Sequence, residues 1–500
     1  MNMHASLLAS LLPVLLIPGC AADGSARAYN PDTPTAAETD PQPAEPRTLD
    51  GRFGDWAADE WAAADERWLW IRFAPDANPP QAIQAAPYTT RLRFDADLDP
   101  RTGREMAYPP MKGEAIAIRP QGVDLTIDFS PPNKKGTIGI GTGVTRYDHD
   151  AKPTDLGHAA IGMACLPTYA NSQYELRIDR LAPGSAVLPK SGTVEIVVEQ
   201  VDARGNTRWW QRIVTELPER AASPTRHDLD LPRKHADGVR IMSANVLFSS
   251  PLESPEPFKR VFDATQPDVI LYQEWFRTER SKVEAWLKRS AGRDWSLHFP
   301  DERAGVAIAT RHPILARYDK ALVPSGAGHP ARACAALIDT DAGELLAISV
   351  HLKCCGAAGS EEDLTRIDQA KAINAFVDWV HEQHPDAMVV IGGDFNLVGS
   401  RTPLDVMTRE LGTNNDDLDP VHATVLGDAT AVTWVDEKSR FAPGRLDWML
   451  YDDSRSVLRN AFMLDTRVLD DDALQAMGLR RQDSAASDHL PMIVDLQRAD

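Results

Sequence analysis

The chain has 500 residues, 43% of them hydrophobic and 25% charged, and a formal net charge of −20. At roughly 100–200 residues per domain this suggests two or three domains with sizeable cores. The acidic balance argues against tight, sequence-independent binding to nucleic acid, which needs clustered Lys and Arg; nucleic acid remains a partner only as a substrate.

Residues 1–20 read MNMHASLLASLLPVLLIPGC. The apolar run Leu7 to Ile17 is too short to span a bilayer and has the length of a signal-peptide core. Its end, Ile17-Pro18-Gly19-Cys20, resembles a bacterial lipobox. The resemblance implies export, cleavage before Cys20, and lipidation of Cys20 as a membrane anchor in the cell envelope, periplasmic or on the surface. The alternative is a signal peptide ending in an unmodified cysteine. Residues 21–48 are rich in Pro, Ala, Asp and Thr without apolar periodicity. They bury too little surface to offset ordering entropy and read as a flexible linker.

Residues 49–215 carry period-two runs: WLWIRF, TTRLRFDADLD, GVDLTIDF, YELRIDRL and GTVEIVVEQVD. Gly, Pro and Asp fall between them, and no long helical pattern appears, so an all-β sandwich is expected. Trp56, Trp61, Trp68, Trp70, Trp209 and Trp210 read as sandwich core, with a sugar-stacking face as the alternative. LDGRFGDW and FDADLDPRTGR together resemble the carbohydrate-binding-module-9-like sandwich. That resemblance implies a glycan partner and Ca2+ near the aspartate run. Asp95, Asp97 and Asp99 alternate into a turn, and hard carboxylate oxygens suit calcium; a solvated acidic turn is the other reading.

Residues 216–236 are polar and Pro-bearing and read as a second linker. From 237 to 500 the pattern changes to short buried strands with helices between them, at PFKRVFDAT and over 363–384, which means an α/β layered domain. Leu364, Ile367, Ile373, Phe376, Val377 and Val380 are expected on one helix face. The five cysteines show no paired CxxC spacing and so no structural zinc site. A disulfide from Cys334 to Cys354 or Cys355, or free thiols, both remain open.

Chemistry-bearing residues recur at strand ends: Asn245, Glu274, His351, Asp394, Asn396, Asp447, Asp488 and His489. Polar groups there can converge on a cleft. Carboxylate and amide oxygens suit a hard divalent metal, an Asp or His can move protons, and an Asp can orient a His. There is no GxSxG elbow and no P-loop.

The ordered series SANVL, QE, HL, GDFN, RLDWML and SDHLP resembles the endonuclease/exonuclease/phosphatase superfamily over nearly all of 237–498. The resemblance implies a DNase-I-like two-sheet sandwich with outer helices. It implies Mg2+ or Mn2+ on the side of Asn245, Glu274 and Asp488. His351 and Asn396 become phosphate contacts, Asp394 an acid/base or water-positioning carboxylate, and His489 the catalytic histidine partnered by Asp447. Arg366 and Gln369 fall where relatives carry helix residues facing the site. The expected activity is metal-dependent hydrolysis of phosphate esters, with a phosphodiesterase (nuclease or phospholipase-like) ahead of a phosphomonoesterase. A non-catalytic surface- or glycan-binding lipoprotein is the contrasting reading.

Overall fold

The alternating runs of the first half pair as antiparallel strands. The computed structural model describes residues 47–108, 120–221, 229–292, 294–318, 331–413 and 416–499. The signal segment with Cys20, and linker residues up to 46, lie outside the described residues. None of the described helices is long and apolar enough to cross a membrane.

Trp68–Phe73 and Tyr174–Asp179 are neighbours in a four-stranded sheet, while Thr89–Asp95, Leu125–Phe129 and Gly192–Val201 lie in a six-stranded one. Inward residues of both sheets, such as Ile71, Leu176, Phe94, Ile127 and Ile196, form one core, so this half is a β-sandwich. The edge strand Thr207–Leu217 carries Trp209 and Trp210, both half-buried. Trp56 and Trp68 lie under the guanidinium groups of Arg47 and Arg177, each 3.8 Å from the ring centre. Their faces are occupied by cation–π contacts.

The second half is two stacked sheets. A seven-stranded sheet is centred on Gly238–Asn245, parallel to Val269–Gln273 and antiparallel to Met492–Arg498. A six-stranded sheet holds Gly343–His351 parallel to Met388–Asp394, which is antiparallel to Asp447–Tyr451. Ile241, Leu271, Ala347, Val390 and Met449 fill the space between the sheets. The helices Pro255–Thr265 and Glu361–His381 pack outside, one against each sheet. Each lies in the crossover between two parallel strands, as parallel pairing requires.

Ser360 caps the second helix by accepting from the Asp363 amide. Ile373, Phe376, Val377 and Val380 face the core as expected, but Leu364 is 56% exposed. It precedes Ile373 by nine residues, about two and a half turns, which puts it on the opposite face. Arg366 and Gln369 take the buried face, where Arg366 donates to the carbonyls of Lys353 (2.8 Å) and Cys355 (2.7 Å) and Gln369 accepts from the Lys353 amide (2.9 Å). Cys165, Cys354 and Cys355 are free thiols, so neither Cys354 nor Cys355 is bridged to Cys334, which faces the inter-sheet core.

Gly393 has φ 144°, and a Cβ there would meet the Val350 carbonyl oxygen and Gln273 Nε2. Gly393→Ala should therefore cost about 1–3 kcal/mol in backbone strain, with the clash added. Denaturant unfolding reads this as a lowered midpoint with unchanged slope; a wild-type midpoint would contradict it.

Candidate active site

Strand register does the first part of the assembly. His351 pairs with Asp394, and Asp394 with Asp447, so three candidate site residues stand side by side at one end of the six-stranded sheet. On the other sheet Asn245 pairs with Gln273, which places Glu274 just beyond. His489 enters three residues before the strand that flanks Gly238–Asn245.

The contacts follow from that placement. His489 Nδ1 lies 2.7 Å from Asp447 Oδ2, and its Nε2 lies 3.9 Å from Asp394 Oδ2. The His489 amide donates to Ser487 Oγ at 3.2 Å, and Ser487 Oγ donates to the Asn245 carbonyl at 2.8 Å. His351 Nε2 sits 3.4 Å from Asp394 Oδ2 and 4.0 Å from Glu274 Oε1. Asn396 donates its amide (2.9 Å) and its side chain (3.0 Å) to Asp394. Asn245 Nδ2 donates to Glu274 Oε1 at 3.2 Å.

Electrostatics divide the two histidines. Burial opposes charge on His489, but the carboxylates of Asp447, Asp394 and Asp488 outweigh it and raise its pKa far above the ordinary value. His489 is thus a cation held by Asp447. Burial, with the positive charges of Arg332 and His489, pushes His351 well below its ordinary value. His351 is thus neutral, not cationic, and its buried Nδ1 has no hydrogen-bond partner. Burial raises Asp394, with Asp447 and Glu274 adding to the rise and His489 opposing it.

The donors fit a hard divalent cation. Asp488 Oδ2 accepts Trp434 Nε1 at 2.9 Å, while its Oδ1 is buried without a partner. Glu274, His351 and Asp394 each offer a ligand atom within 4.8 Å of one another; Asp394, Asp447 and His489 also lie that close, but a protonated His489 is no ligand. Carboxylate oxygens of this kind suit magnesium or manganese.

The rim is aromatic. Leu247, Phe248 and Ser249 all have positive φ (40°, 50° and 65°), and this turns Phe248 outward to 71% exposure. The Phe248 amide donates to Glu274 Oε2 at 3.0 Å. Phe248 packs on Phe276 at 5.9 Å, and Phe276 on His351 at 5.5 Å. Gly305 leaves room for the Phe276 ring, since a Cβ there would meet it at 2.6 Å. No motif or periodicity marked this pair, nor Arg332 beside it.

In the sandwich the acidic group is composed differently from the expectation. Asp95, Asp97 and Asp124 each offer an oxygen within 4.8 Å of one another. Asp99 pairs instead with Arg101 at 2.6 Å. Asp124 comes from a different run of the chain, so only the fold brings it in. Asp95 is 2% exposed, and its Oδ1 has no hydrogen-bond partner.

No curated protein matches the chain. Among solved structures it is similar to an endonuclease/exonuclease/phosphatase from Bacteroides vulgatus, at 16% identity and TM-score 0.37 over 52% of this chain and 99% of that one. It is similar to sphingomyelinase C from Streptomyces griseocarneus, at 14% and 0.36 over 52% and 99%. It is also similar to TDP2 from C. elegans, at 15% and 0.38 over 54% and 76%. The model of the Endonuclease/Exonuclease/phosphatase family matches residues 242–489. That span carries every site residue named above from Asn245 to His489 and all of the two stacked sheets except the Met492–Arg498 strand and the first residues of Gly238–Asn245, and it makes the C-terminal half of this chain a member of the endonuclease/exonuclease/phosphatase family, hydrolases of phosphoric esters.

Proposed function

We propose that the chain is a divalent-metal-dependent phosphodiesterase, exported and held at the cell envelope by a lipid on Cys20. The observation that carries the catalytic part is the Asp447–His489 pair at 2.7 Å beside a buried Asp394 and the linked Asn245–Glu274. Magnesium or manganese, held by Glu274, Asn245 and Asp488, would supply Lewis-acid stabilisation of charge on phosphoryl oxygens. The chain's own groups do the rest. As water attacks phosphorus and the phosphorus–oxygen bond to the departing alcohol breaks, Asp394, raised by burial, accepts the proton of that water, and the departing alkoxide takes its proton from solvent. His489, kept cationic by Asp447, donates to a phosphoryl oxygen. Neutral His351 and Asn396 hold phosphate oxygens by hydrogen bonds.

The rim favours a diester. Phe248 and Phe276 offer apolar surface next to His351, where a second organic substituent would lie. A monoester dianion has no such substituent. The test is a panel of bis-p-nitrophenyl phosphate, p-nitrophenyl phosphate, double-stranded DNA, RNA and sphingomyelin, each with magnesium and with EDTA. Turnover of a diester that EDTA abolishes is expected; turnover of the monoester alone would overturn the diester reading. Labelling with a radioactive fatty acid that is lost on Cys20→Ala would support the anchor, and equal labelling would reject it.

For the sandwich we propose calcium at Asp95, Asp97 and Asp124, supported by the orphaned Asp95 oxygen. Burial raises the Asp124 carboxyl to about 6, with Asp97 and Asp95 adding to it. Folding thus favours its protonated form. As pH rises from about 4 to above 6 the folded state gains uncompensated charge and loses stability, and calcium should remove that penalty. Added Ca2+ is expected to raise the melting temperature at pH 7.5 and to leave it unchanged at pH 4.5. An equal shift at both values, or none, would reject the site.

A further inference from the structure

The loop between the Thr424–Val425 and Asp447–Tyr451 strands touches two of the acidic residues of the active site, Asp447 and Asp488. Thr433 Oγ1 accepts the amides of Leu446 and Asp447, each at 2.9 Å. The Thr433 carbonyl accepts the Leu490 amide at 2.7 Å, and the Val435 amide donates to the Asp488 carbonyl at 2.8 Å. Trp434 Nε1 donates to Asp488 Oδ2, which leaves Oδ1 as the buried, unpartnered oxygen. The same short segment therefore sets the backbone of Asp447 and His489 and the rotamer of Asp488.

The outer side of this loop is held by the other half of the chain. Leu49, fully buried, bridges it like a strand, donating to the Ala429 carbonyl (2.9 Å) and accepting the Ala431 amide (2.8 Å). Arg177 grips Asp428 with two bonds of 2.7 and 2.8 Å. Gln84 accepts the Ala442 amide at 2.8 Å, the Thr142 amide donates to the Arg440 carbonyl at 2.7 Å, and Thr168 donates to the Arg445 carbonyl at 2.9 Å. Backbone groups of a long loop that would otherwise face water are thus tied to a rigid sandwich. A loop without such ties opens at low free energy, and a metal-side ligand displaced by even a small opening binds and acts poorly.

We infer that the N-terminal sandwich is a positioning element of the active site, fixing the 428–445 loop so that Thr433 and Trp434 hold Asp447 and Asp488. Trp434 is the positioning residue that acts through Asp488. This rests on the site reading proposed above.

The test uses the full chain, with Mn2+ binding followed by calorimetry, kcat and KM on bis-p-nitrophenyl phosphate, and melting temperature. Trp434→Phe keeps an aromatic side chain and removes the N–H. Arg177→Ala removes the grip on Asp428, and Arg177→Lys keeps the charge without the two-pronged geometry. Trp434→Phe and Arg177→Ala should each weaken Mn2+ binding about ten-fold or more and lower kcat with KM little changed, with Arg177→Lys in between. Arg91→Ala breaks a comparable two-pronged pair with Asp128 inside the six-stranded sheet. It should lower the melting temperature and leave Mn2+ affinity at the wild-type value. If Arg177→Ala does not fold, Gln84→Ala combined with Thr168→Val removes two milder side-chain ties and should show the same split. Mn2+ affinity and kcat unchanged in Trp434→Phe and in the interface variants would overturn the inference while leaving the hydrolase intact. A wild-type chain that neither binds Mn2+ nor turns over any ester would instead overturn the site reading, and this inference with it.

Discussion

His489→Ala is expected to lower kcat by roughly 10³-fold or more. The side chain is 6% exposed and forms the 2.7 Å pair with Asp447, itself buried. Its removal therefore has two effects. The group that would stabilise phosphoryl charge is gone, and the Asp447 carboxylate is left buried without its cation. Breaking a buried pair from one side costs about 3–5 kcal/mol, so the melting temperature should fall as well. The two effects separate in the double variant Asp447→Asn/His489→Ala. Its stability should partly recover because no unpaired charge remains, while its kcat should stay near that of His489→Ala, since Asp447 acts through the histidine. A His489→Ala enzyme within ten-fold of wild type would remove this residue from the mechanism.

Asp394→Asn should move stability and activity in opposite directions. Asp394 is 2% exposed, and burial raises its pKa to about 7. A carboxyl raised in this way favours the folded state when protonated. Its contribution worsens as pH climbs from the unfolded value near 4 through about 7. A neutral amide avoids that loss and still offers an oxygen to the Asn396 amide. In EDTA at pH 8 the variant is expected to melt higher, by about 2–4 °C for each kcal/mol gained, and the gain should vanish near pH 4. On the proposed mechanism the same substitution removes the group that takes the proton from water, so kcat should fall at least 10²–10³-fold. Such a trade between stability and activity marks a residue kept for chemistry. A variant that melts lower at pH 8 would mean that the carboxylate is a net structural asset.

The layered architecture was legible because period-two runs and one long helical pattern dominate their segments. Leu364 was misplaced because a helix of mixed polarity lets two faces compete, and only packing chose the one with Ile373 and Phe376. The strand-end residues were legible for another reason: each flanks a short apolar run, where a rigid element starts or stops and a side chain is free to serve. Trp434, Thr433 and Phe276 carry no such mark. Trp434 and Thr433 lie in a loop without periodicity, and their importance comes from partners more than fifty or about a dozen positions away. Asp124 sits in a run separate from Asp95 and Asp97, so a local reading favoured Asp99.

The left-handed run Leu247-Phe248-Ser249 has a consequence for adaptability. A non-glycine residue in this conformation costs about 1–2 kcal/mol, and three in succession persist only because the surroundings over-determine them. The Phe248 and Ser249 amides are both spent on Glu274, one on its carboxylate and one on its carbonyl. The wall of the cleft beside Glu274 is therefore a rigid mould and not a glove. A substrate must arrive already matching it, and evolutionary change in what this wall accepts has to come from exchanging the Phe248 side chain while the backbone path beneath it stays as it is.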